Sequence, residues 1–96
     1  MFIILLKFST NKENVKDFMK AHGDWLQRGF DEGVFILAGR ILPEEGGSIL
    51  AHNISRDALT RLINEDPFVK NNVVVAEILE TLPALADDRL KFLLRK

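Results

Sequence analysis

The segment FIILLKFSTNKENVKDFMKAHGDWLQRG, residues 2–29, changes its hydrophobic period part-way along, and that change decides the fold. Phe2 to Phe8 is a short, continuously apolar run, the pattern of a central strand covered on both faces. From Val15 to Gly29 the residues Val15, Phe18, Met19, His22, Trp25 and Leu26 recur at spacings of three and four, which is one face of an α-helix. His22 lies in the middle of that stripe. A buried polar side chain needs a hydrogen-bond partner, so His22 must meet something from elsewhere in the fold. It is either a core histidine satisfied by a backbone carbonyl or a catalytic or ligand-binding one.

Ahead of this helix, Thr10 and Glu13 are spaced as a capping box, and behind it Gly29 and Gly33 mark where it fades and stops. Val34 to Gly39 reads as a second strand. The breaker-rich Pro43-Glu44-Glu45-Gly46-Gly47 then turns the chain into a third strand, Ser48 to Ile54, giving a hairpin. Ser55 caps a second helix, with Ala58, Leu59, Leu62 and Ile63 as its apolar stripe to Asn64. Asp66 precedes Pro67 and is placed to cap a short helical turn. Asn72 to Leu82, built around Val73-Val74-Val75, is the fourth strand. Pro83 opens a C-terminal segment in which Leu85, Leu90, Leu93 and Leu94 line one side of a last helix.

The order is βαββαβ plus a C-terminal helix. This is an α+β, ferredoxin-like pattern: an antiparallel four-stranded sheet with both main helices on one face. The other face stays apolar and calls for a cover, so a homodimer formed sheet to sheet is expected. The whole chain, 1–96, reads as a single domain, since 96 residues leave no room for a second.

With 47% hydrophobic and 28% charged residues the composition is that of an ordinary globular protein. Thirteen Lys and Arg against fourteen Asp and Glu give no field to draw nucleic acid or an anionic membrane, and neither is expected as a partner. The lack of cysteine removes thiolate chemistry and disulfides and fits a reducing compartment, the cytoplasm. The apolar start lacks a basic region before it and is cut short by Lys7, so it reads as a strand rather than a signal peptide.

No metal-ligand spacing, phosphate-binding glycine pattern or Gly-x-Ser-x-Gly elbow occurs, so no metal and no cofactor is expected. The polar residues left for chemistry are His22, Asp66, Arg40 and His52. A carboxylate accepting from one ring nitrogen of a histidine fixes its tautomer and leaves the other nitrogen to move a proton. Asp66 reads equally as a helix cap, His52 as a strand side chain packed beside Leu50 and Ile54, and Arg40 as a solvated charge.

Ala21-His22-Gly23-Asp24-Trp25-Leu26, Glu32 to Gly39, Gly46-Gly47-Ser48-Ile49-Leu50 and Asp66-Pro67-Phe68, in that order, resemble the YCII-related (YciI-like) family from Phe2 to about Leu82. The resemblance implies a dimeric α+β barrel and a His–Asp pair in a cleft, at His22 and Asp66, with proton-transfer chemistry on small ring compounds. The chain departs from the family at Gly39-Arg40, where many members carry Gly-Pro. Two expectations follow. The first is a small-molecule enzyme in which His22 and Asp66 perform acid–base proton transfer on a small, anionic organic or ring compound held by Arg40 or His52. The alternative is a non-catalytic dimeric module that binds a ligand or serves a structural purpose.

Overall fold

The structure is a computed structural model that describes residues 1–43 and 45–94. Glu44, in the breaker-rich turn, lies outside the described residues. The elements are β1 (Phe2–Phe8), α1 (Val15–Asp31), β2 (Phe35–Ile41), β3 (Gly46–Ala51), α2 (Arg56–Asn64), α3 (Pro67–Lys70) and β4 (Val74–Glu80), with 3₁₀ turns at Lys12–Asn14 and Asp88–Leu93. The strands form one antiparallel sheet in the order β2-β3-β1-β4. This is the ferredoxin-like arrangement expected from the sequence.

Strand alternation sorts the side chains. Phe2, Ile4 and Leu6 of β1, Ile49 and Ala51 of β3, Phe35 of β2 and Val74 of β4 are buried on the inner face. They pack with Trp25 of α1, Leu59 and Ile63 of α2, and Phe68 of α3. The approach of α1 to β2 is close: a side chain at Gly29 would collide with the ring of Phe35. On the outer face, Leu37, Leu50, Ile3 and Leu79 stand in one cross-strand row, and Leu37, Leu79 and Val75 are exposed.

Three local expectations are corrected. Thr10 and Glu13 form no capping box: a 3₁₀ turn precedes α1, whose N-cap residue Asn14 makes no side-chain cap. The side chain of Asn11 instead donates to the Asn71 carbonyl at 2.9 Å, tying this turn to α3. The third strand ends at Ala51 rather than Ile54, because Asn53 adopts a left-handed φ of 56° that no strand accommodates. His52 therefore lies just past the strand. The C-terminal helix is present among the described residues, but as a 3₁₀ helix over Asp88–Leu93 and not along the whole segment. Residues 81–87 are not helical, and only Asp88–Leu93 winds, as 3₁₀ turns started by Asp87, whose carboxylate accepts from the Arg89 backbone N–H at 2.9 Å. The Arg89 side chain and that N–H hold the Asp87 carboxyl below its ordinary value. Of the four leucines expected along one side, Leu93 is buried while Leu85 and Leu90 are exposed.

Among the described residues, no helix is long and apolar enough to cross a membrane.

Candidate functional site

Asp66 owes its position to Pro67. The residue before a proline is kept out of the helical region, so α2 ends and Asp66 takes φ −61° and ψ 125° before Pro67 starts α3. Its Oδ1 accepts from the Phe68 backbone N–H at 3.0 Å, so the expected cap is present. The same Oδ1 lies 2.7 Å from His22 Nδ1. Cap and histidine partner are thus one atom performing both tasks.

Asp66 is fully buried, and its Oδ2 has no hydrogen-bond partner among the described residues. A buried carboxylate is costly unless it is hydrogen-bonded, so the short contact to the imidazole is a large part of what makes this position tolerable. With Asp66 ionised, Nδ1 carries the hydrogen and donates, which leaves Nε2 as the free acceptor. The ring is held on its faces too. It stacks on Phe68 with centroids 4.1 Å apart and planes at 10°, and on Trp25 at 5.7 Å. Trp25 is fixed in turn, because its indole N–H donates to the Leu62 carbonyl at 3.0 Å.

His22 retains 16% side-chain exposure and lines a cavity of about 370 Å³ between the sheet and α1. That volume lies within the ~300–1,000 Å³ span of small-molecule sites. The walls are apolar for the most part: Leu6 and Phe8 from β1, Val15, Met19 and Leu26 from α1, and Phe68 from α3. Gly39, Gly46 and Gly47 contribute a stretch of wall without side chains, and Arg40 stands on the same lining. Among the lining residues Arg40 is the one with a permanent charge.

The structure thus brings three of the four sequence candidates together: His22, Asp66 and Arg40. It does not bring His52. That imidazole lines a separate depression with Phe2, Arg56 and Glu80, and meets the ring of Phe92 edge-on at 5.4 Å. No cluster of His, Cys, Asp and Glu among the described residues is disposed to hold a metal ion.

Sequence reasoning missed Phe68 and Trp25 as the platform that fixes the imidazole. A signal for Phe68 was present: an Asp two residues before a backbone N–H is an Asx-type cap, so Asp-Pro-Phe anchors the phenylalanine beside whatever the aspartate grips. Trp25 shares a helix face with His22, three residues on, but its hydrogen bond to α2 had no sequence signature.

The family model of the YCII-related domain matches residues 1–82 of this chain. No curated relative matches it. Among solved structures, it is similar to a 5-chloro-2-hydroxyhydroquinone dehydrochlorinase from Burkholderia phenoliruptrix AC1100 in complex with 2,5-dihydroxybenzoquinone. The TM-score is 0.69 at 15% sequence identity, over 84% of this chain and 93% of that one. At that identity the likeness establishes a common fold.

Proposed function

We propose, for a chain that belongs to the YCII-related family, that the cavity takes a small organic molecule on which His22 moves a proton. The observation that carries this reading is the 2.7 Å contact of His22 Nδ1 with a fully buried Asp66, on a ring that still lines an open cavity. In the Nδ1–H tautomer, Nε2 accepts a proton from a carbon or hydroxyl of the bound molecule. The resulting imidazolium keeps its hydrogen bond to the Asp66 carboxylate, and Nε2 then returns the proton to another atom of the ligand or to water. Such steps serve isomerisation and elimination alike. The neighbouring dehydrochlorinase fold is in keeping with chemistry of this kind.

The second reading, a non-catalytic dimeric module that binds a ligand or serves a structural end, draws on one specific observation. Oδ1 of Asp66 caps α3, so the aspartate has a structural task whether or not His22 turns anything over. Proton exchange separates the two. The protein is incubated in deuterated water with a panel of small lactones and hydroxylated ring compounds, and deuterium entering the ligand is followed by NMR. The account expects incorporation with the parent chain, its loss in His22→Gln and its reduction in Asp66→Asn. Incorporation that survives in His22→Gln overturns it.

The reading includes a second copy of the chain. The outer row Leu37, Leu50, Ile3 and Leu79 is the kind of apolar patch that soluble monomers rarely leave uncovered. Light scattering at micromolar concentration is expected to give twice the chain mass. A mass of one chain refutes the sheet-to-sheet dimer.

A further inference from the structure

The direction in which Arg40 points is set by an irregularity in β2. Phe35 faces the core and pairs with Ala51, and strict alternation from there would send Leu37 and Gly39 inward and Arg40 out to the other face of the sheet. The register instead shifts between Phe35 and Leu37, so that Leu37 pairs with the outer residue Leu50 and Ala38 with the inner residue Ile49. One extra residue in a strand reverses the facing of everything after it, and such bulges commonly re-aim a side chain beside a site. Leu37 is exposed as a result, Ala38 packs on the core, and Arg40 falls on the cavity side opposite Gly47.

Three features of its surroundings bear on its use. Among the described residues no carboxylate pairs with the guanidinium, although three other arginines show how readily a surface arginine finds one: Arg28 reaches Glu65 at 2.9 Å, Arg56 reaches Glu80 at 3.7 Å and Arg89 reaches Asp87 at 2.9 Å. Its cross-strand neighbour Gly47 has no side chain to occupy the space beside it. The remaining lining is apolar apart from His22 and Ser48, neither of which supplies a negative charge to balance it, while the Asp66 carboxylate is buried behind the imidazole and already bonded to it. The cavity therefore has one planar, fork-shaped cation, without a carboxylate partner among the described residues, on a largely apolar wall.

From this we infer that Arg40 selects the ligand: the site takes a single-ring compound bearing a carboxylate, with the carboxylate on the Arg40 guanidinium and the ring against Phe68, Leu26 and Phe8. A guanidinium matches a carboxylate with two parallel N–H···O bonds, and charge-assisted bonds of that kind are about twice as strong as neutral ones. The identification rests on the proton-transfer reading for why the ring is brought to His22, but the binding it describes stands on geometry alone.

Benzoate and benzamide are suitable probes because they have the same shape and differ in charge. Titrations followed by amide shifts at Ala38, Gly47 and Phe68 are expected to show benzoate binding about ten- to hundredfold more tightly than benzamide. Arg40→Gln removes that preference and leaves the rest of the spectrum in place, whereas Arg40→Lys keeps part of it. His22→Gln keeps it too, which separates this test from the fate of proton transfer. Equal affinities in the parent, a preference that survives in Arg40→Gln, or shifts that gather around His52 instead would each overturn the assignment.

Discussion

The two histidines of this chain stand at opposite ends of one sheet, and the same side chain is used in opposite ways. His22 lies by the Phe8–Val74 end, gripped by a buried carboxylate and stacked with the rings of Phe68 and Trp25 over a cavity. His52 lies by the Phe2–Glu80 end, where its ring meets the edge of a half-exposed Phe92 and no carboxylate reaches it among the described residues. Residue type is equal in the two places. What differs is a partner that water cannot reach, supplied by a proline that stops one helix and starts another. A histidine is fitted to carry a proton by groups that fix its tautomer and orientation, and among the described residues such groups surround His22 and not His52.

That contrast predicts a large difference in stability between the two ends. Asp66→Ala removes the acceptor of both the Phe68 N–H and the His22 Nδ1–H, a lost cap together with stranded donors, and is expected to cost about 2–4 kcal/mol in urea unfolding. His52→Ala forfeits one edge-on aromatic contact and is expected to cost about 1 kcal/mol or less. Equal losses from the two substitutions would break the comparison. Melting temperature does not, however, tell a catalytic His22 from a structural one. Asp66 is fully buried with Oδ2 already unpartnered, so removing His22 strands the carboxylate under either reading, and proton exchange is the observation that separates them.

Much of this was legible in the sequence, because burial on one face of a helix or strand writes itself as a period. The change of period between Phe2–Phe8 and Val15–Gly29, the Ser55 and Asp66 caps and the βαββαβ order all correspond to what the chain does. Both members of the His22–Asp66 pair could be named. Their contact could not be read from composition or spacing and came only as what the family resemblance implies, since it spans 44 residues and depends on how α1 packs against α3. Arg40 could be named as a candidate but not oriented, because its facing follows from one unpaired residue between Phe35 and Leu37 that alternation alone does not foresee. The last helix was legible as a stripe of Leu85, Leu90, Leu93 and Leu94, but its kind and extent were not: it winds as 3₁₀ over Asp88–Leu93, with Leu93 buried and Leu85 and Leu90 exposed.

The central claim, that Asp66 sets the state of His22, is tested most directly by the ring nitrogens themselves. Long-range ¹H–¹⁵N correlation on the two histidines, at a pH where both rings are neutral, reads each tautomer in one spectrum. The account predicts that His22 carries its hydrogen on Nδ1 and leaves Nε2 free, that Asp66→Asn disturbs this, and that the signals of His52 do not respond to the substitution. His22 with its hydrogen on Nε2, or a pattern unchanged in Asp66→Asn, would contradict it.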